Sequence, residues 1–92
     1  MVFRAQNGHI HEMSINPATG RWGQFDMTAA TGAPSAYGIP VGYEAGGARV
    51  VFRATDTRVH EMSIDPATVS WRQVDLTVVT GAPNAKCTGL IN

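Results

Sequence analysis

The sequence predicts an all-β fold made of two tandem units, and three observations carry that prediction. Shifting the 92-residue chain by 49 positions superposes Val2-Phe3-Arg4-Ala5 on Val51-Phe52-Arg53-Ala54 and His11-Glu12-Met13-Ser14-Ile15 on His60-Glu61-Met62-Ser63-Ile64, and 21 of the 35 residues from 2 to 36 recur without a gap. Short runs rich in β-branched and aromatic residues alternate with clusters of Gly, Pro, Asn and Asp, which is the composition of strands and turns. No segment sustains an apolar period of 3.6 residues, so no helix is expected anywhere.

Each unit reads as a series of short antiparallel strands. Val2 to Ala5 and Ala48 to Ala54 lead through Gln6-Asn7-Gly8, or Thr55-Asp56-Thr57, into His9 to Ile15 and Arg58 to Ile64, a hairpin pattern. Asn7-Gly8 supplies the positive φ angles a tight turn needs, and Asp56-Thr57 is a weaker substitute. Asn16-Pro17-Ala18-Thr19-Gly20 and Asp65-Pro66-Ala67-Thr68-Val69 then turn the chain, with proline setting φ. Further strands are expected over Trp22 to Thr28 and Trp71 to Thr77. Beyond Thr31-Gly32-Ala33-Pro34, a Gly/Pro-punctuated link reaches Val41-Gly42-Tyr43-Glu44, a fourth strand joined by Gly46-Gly47 to the next hairpin.

Four short strands per period of about 40 to 50 residues describe the blade of a β-propeller. The expected organisation is a single unit over 1–92, with repeat 1 at about 2–40, repeat 2 at about 41–83, and 84–92 as a closing strand lent to a neighbouring copy. In that phase the chain opens on the second strand of a blade, so Thr88-Gly89-Leu90-Ile91 is expected to pair with Val2-Phe3 of another copy and cover its edge. Such a head-to-tail contact closes a ring. A trimer gives six blades and is expected ahead of a tetramer with eight; a slice of a longer repeat array is the alternative. Two units are too few to cover their own faces: leaving ~500 Å² of apolar face wet would forfeit ~12 kcal/mol at ~25 cal/mol per Å², comparable to the whole stability of a domain.

Composition excludes several functions. Seven basic and seven acidic residues give a formal charge of zero, so no field gathers nucleic acid. Apolar runs such as Val50-Val51-Phe52 are far shorter than the ~20 residues of a membrane span, and no membrane insertion is expected. The start, Met1 to Gln6, lacks a basic region followed by an apolar one, so no secretory signal is read and localisation stays open. One cysteine, Cys87, and three scattered histidines do not make a zinc-ligand pattern. No metal or cofactor is expected.

The candidate binding residues recur once per unit. Trp22 and Trp71 follow a turn and offer a flat apolar surface for the C–H face of a sugar, or else pack one blade on the next. Glu12 and Glu61 lie mid-strand in a sheet expected to be covered on both faces, where a lone carboxylate is costly unless paired. Arg4 and Arg53, on the adjoining strand, are the expected partners; together they offer a donor array and an acceptor for a diol, or a structural cross-strand ion pair. Tyr43 and Tyr37 occur only between the copies, so a pocket that uses either makes the two sites unequal. His11 and His60 point to the opposite face from the glutamates and read as buried, hydrogen-bonded imidazoles. His9, replaced by Arg58 in the second unit, reads as solvent-facing, and Cys87 as passive. Asp26 and Asp75, each followed two residues later by a threonine, read as hydrogen-bonding groups that fix the link to the next blade.

The pattern Val-Phe-Arg-Ala, Asn-Gly-His-Ile-His-Glu-Met, a tryptophan, Asp-Met-Thr-Ala-Ala-Thr-Gly-Ala-Pro and a Gly-Tyr before the next copy resembles the repeat of the Photorhabdus-type fucose-binding β-propeller lectins. The segment from Asp75 to Pro83 is its most specific part. In length and organisation the chain is also similar to the two-repeat bacterial fucose lectins that trimerise into six-bladed propellers. Their glutamate matches Glu12 and Glu61 and one tryptophan matches Trp22 and Trp71. Their arginine position holds Val50, and their other tryptophan position holds Ile15 and Ile64. The resemblance implies metal-free sugar pockets between blades that take L-fucose or O-methylated sugars. No nucleophile elbow, phosphate loop or metal spacing is present, and each candidate acid is duplicated with its surroundings, whereas catalysis needs groups of unlike environment. A non-catalytic, multivalent lectin is therefore expected, gaining avidity on clustered glycans; a propeller-forming interaction scaffold without sugar binding is the alternative, and a glycosidase-like propeller a weaker one.

Overall fold

The computed structural model describes residues 1–65, 67–68 and 70–88. Two antiparallel sheets carry the fold. The first has three strands in the order β1 (Val2–Arg4), β2 (Ile10–Asn16) and β3 (Arg21–Asp26), and the second has four, β4 (Val41–Glu44), β5 (Ala48–Arg53), β6 (Val59–Asp65) and β7 (Ser70–Asp75). The repeat extends to register: His11 faces Asp26 and Ile15 faces Trp22, as His60 faces Asp75 and Ile64 faces Trp71. The first hairpin turns at Gly8, φ 86°, and the second forces Thr57 into the same left-handed region at φ 67°, where a β-branched residue is a true outlier.

The chain contains helix where none was expected. The third strands do not run to Thr28 and Thr77 but stop at Asp26 and Asp75, which cap two five-residue helices, α1 (Met27–Thr31) and α2 (Leu76–Thr80). Asp26 Oδ1 accepts from the Ala29 N–H at 2.9 Å and Asp75 Oδ1 from the Val78 N–H at 3.1 Å, which satisfies otherwise orphaned amide donors of the first turn. Gly32 and Gly81, both at φ 70°, end the helices in the left-handed conformation, which a residue without Cβ adopts freely. Five residues are too few for a 3.6-residue period to show, so periodicity missed both helices. Each is tied back to its own sheet, because Thr28 Oγ1 accepts from the Ile10 N–H at 2.8 Å and Thr77 Oγ1 from the Val59 N–H at 2.9 Å.

The two sheets pack through unlike faces. Strand pairing puts Val2, Arg4, Ile10 and Glu12 on one face of the first sheet, and Val50, Phe52, His60, Met62 and Trp71 on one face of the second. These two faces meet: Ile10 and Met27 from the first unit and Val50, Phe52 and Met62 from the second share one buried cluster, with Val2 and Trp71 packed against it. Gly42 of β4 faces Val2 across the junction, where a Cβ would stand in ordinary contact, 3.6 Å from Val2 Cγ2. The link at 35–37 laces the units together through Ala36 N–H to Gly8 C=O at 2.7 Å, Thr55 N–H to Ser35 C=O at 2.8 Å and Tyr37 N–H to Arg53 C=O at 2.7 Å.

Among the described residues, no second sheet covers either outer face. Met13 and Trp22 are 39% and 68% exposed, whereas Met62, the equivalent of Met13, is fully buried. Of the expected closing strand, 84–88 is not strand. Its remainder, Gly89-Leu90-Ile91-Asn92, lies outside the described residues.

Candidate functional site

The expected pairing of Glu12 and Glu61 with Arg4 and Arg53 does not occur. Arg4 Nε donates to the Ala36 carbonyl at 3.0 Å and Arg53 Nε to the Ala85 carbonyl at 2.7 Å, so both guanidiniums hold the segment that follows a helix. Arg53 also lies 4.7 Å above the Tyr37 ring, within cation–π range. Both guanidiniums are drawn to the link that follows the helix, and among the described residues neither pairs with Glu12 or Glu61.

Glu61 takes a different arginine. On β5, Val51 stands directly opposite Glu61 and Arg49 is the diagonal neighbour on the same face, within reach of a long side chain. Arg49 Nη1 lies 2.7 Å from Glu61 Oε1, and the Tyr43 hydroxyl donates to Glu61 Oε2. That bond to Glu61, with partial burial, raises the Tyr43 hydroxyl above its ordinary pKa of 10.0 and keeps it a donor. Tyr43, Arg49 and Glu61 thus form one cluster on the outer face of the second sheet. Sequence reasoning missed Arg49 because it sought the partner in the repeated Val-Phe-Arg-Ala segment; the equivalent of Arg49 would precede Met1.

The tryptophans divide. Trp71 packs against the core between the units, while Trp22 projects from the outer face of the first sheet. Within the chain, half-buried Glu12 and Trp71 lie on the two faces that meet; Glu61 and Trp22 lie on the two outer faces. Two open clefts, of about 300 and 380 Å³, flank the link at 37–40; Tyr37 lines the first and Arg4 the second, and the glutamates, the tryptophans, Tyr43 and Arg53 line neither.

The histidines are not scattered in space. His9 Nδ1 is 2.8 Å from Asp26 Oδ2, so His9 is engaged rather than solvent-facing, and His11 Nε2 is 3.6 Å from the same oxygen. His11 Nδ1 lies 2.8 Å from Gln24 Oε1. In the second unit buried His60 sits 3.0 Å from both Gln73 Oε1 and Asp56 Oδ2. Burial works against the Asp56 carboxylate, but the Arg58 N–H, His60 and the Arg58 charge more than offset it and hold its pKa below the ordinary 3.8. A depressed aspartate adds stability that is fully present above its unfolded pKa and is lost as pH falls through the lower folded value. Stability is therefore expected to decline below about pH 4, with a shallower decline in Asp56→Asn, as read by urea denaturation across pH 6 to 2; identical slopes in the two proteins would refute the assignment.

Comparison with family models, with curated proteins and with solved structures finds no match to this chain.

Proposed function

We propose that the chain is a non-catalytic, multivalent lectin whose copies join head to tail as blades of a propeller, six in a trimer, with L-fucose or an O-methylated relative held at the seams between blades. The observation that carries the reading is that the two outer faces bear complementary groups. One bears the Tyr43–Arg49–Glu61 cluster and the other bears exposed Trp22. Stacked as the two units of one chain stack, the second unit of one copy and the first unit of the next would set Glu61 and Trp22 across a seam, as Glu12 and Trp71 lie across the seam within the chain.

Such a seam suits a pyranose. The indole meets its apolar face, and a carboxylate with a guanidinium and a phenol exchanges charge-assisted hydrogen bonds with adjacent hydroxyls. The two kinds of seam are unequal, since Tyr43 and Arg49 serve Glu61 alone. A scaffold that binds no sugar is the second reading, favoured by the fact that both Glu61 oxygens are already engaged within the chain.

The test is a glycan array on protein of measured native mass, with the double variant Glu12→Gln, Glu61→Gln beside it. Glycan binding by the parent and its loss in the variant, at unchanged mass, is the expected result. A parent protein that gives no signal above background on fucosylated and methylated glycans would leave the scaffold reading in its place.

A further inference from the structure

Positions 9 and 58 are equivalent in the repeat and differ in kind. In the second unit Arg58 Nη1 lies 3.3 Å from Asp75 Oδ2, so a fixed positive charge meets the capping aspartate. In the first unit the cation is replaced by two imidazoles that converge on Asp26 Oδ2. The other oxygen, Oδ1, is held by the Ala29 N–H, which leaves Oδ2 to face the histidines. Gln24 Oε1 can only accept, so His11 Nδ1 presents a proton to it, and in the neutral ring Nε2 carries the lone pair. That lone pair looks at a carboxylate oxygen 3.6 Å away, an arrangement of two acceptors that favours a cation between them.

We propose that His9, His11 and Asp26 form a binding site for a divalent transition cation of imidazole preference, such as zinc or nickel. His9 Nδ1, His11 Nε2 and Asp26 Oδ2 all lie within 4.8 Å of one another. The separations of 2.8 and 3.6 Å to the carboxylate oxygen bracket the ~3.3 Å edge of a tetrahedral site with ~2.0–2.1 Å bonds. His9 ligates through Nδ1 once its proton rests on Nε2, a change of tautomer that leaves the ring neutral. Gln24 is a positioning residue: it orients the His11 ring and fixes its tautomer, as an outer-shell partner does in a metal site. The side chains are 32%, 18% and 30% exposed, so water can complete the coordination.

The second unit brings Asp56, His60 and Asp75 equally within 4.8 Å of one another, but it offers one imidazole where the first offers two. Its only imidazole, His60, has a side chain 5% exposed and is bonded to Asp56, and Asp75 is engaged by Arg58. One cation per chain follows. The test is calorimetric titration of the full chain with zinc and nickel ions, alongside histidine ring NMR. The expected result is one equivalent per chain, with His9 and His11 signals shifted. Cys87→Ser keeps the binding, and His9→Arg, which installs the residue the second unit already uses, weakens it at least ~10-fold; Gln24→Ala weakens it ~10-fold by releasing the His11 ring. His9→Gln removes the ligand without adding a charge and loses binding equally. Absence of saturable binding to the parent, or undiminished affinity in both His9 variants, overturns the proposal.

Discussion

Phe52→Ala is expected to lower folding stability by about 3–5 kcal/mol, a large part of the 5–15 kcal/mol typical of a domain. Phe52 is 1% exposed and sits among Ile10, Met27, Val50 and Met62 where the two units meet. Its ring stacks on His60 with centroids 5.7 Å apart, so truncation opens a cavity and also strips a neighbour from a buried imidazole. Urea denaturation reads the loss. The repeat supplies a control, because Phe3 makes the same stack with His11 at 5.6 Å but is only half-buried. In dilute, unassociated protein Phe3→Ala should cost well under half as much. If copies stack, its cost should climb with concentration towards that of Phe52→Ala, since association adds to stability by mass action. Equal costs at every concentration would show that the two phenylalanines do not differ in cover.

The strands were legible because alternation and turn chemistry agree. Val41–Glu44 forms β4 with the expected bounds, and Ile10–Asn16 and Val59–Asp65 follow hairpin signals. The helices were not, although their ends were written plainly: an aspartate cap, a run such as Met27-Thr28-Ala29-Ala30-Thr31, and a glycine stop. Cap-to-cap reading finds an element too short for periodicity to register. Arg49 was hidden for a geometric reason. Cross-strand partners can be diagonal as well as directly opposite, and register is not visible until the turn at Asp56-Thr57 has set it. The approach of His9 and His11 to Asp26 was hidden likewise, since it depends on β2 facing β3 with His11 opposite the cap residue. Which face of each sheet turns inward was beyond sequence reading altogether, because both faces of a blade carry apolar residues.

That last point leads to the largest expected effect. Met62 is fully buried between the units, and Met13, its equivalent, is 39% exposed on a face that also carries Ile15 and Trp22. The opposite outer face, on the second unit, carries counterparts of the residues that cover Met62, with Val59 in place of Ile10 and Leu76 in place of Met27, beside Val51, which is 8% exposed within the single chain. A face that already fits its counterpart inside one chain fits the same counterpart on a second copy, and a contact between unlike faces propagates head to tail. Native mass at micromolar concentration is therefore expected to be a multiple of 9.8 kDa. Met13→Glu should return the protein to a folded single chain, because a carboxylate in an apolar seam costs several kcal/mol whereas on an open face it costs almost nothing. Met62→Glu should instead unfold the chain, since the same charge would then enter the buried cluster. A parent protein that already runs as a folded single chain, with Met13→Glu indistinguishable from it, would mean that no copy covers this face.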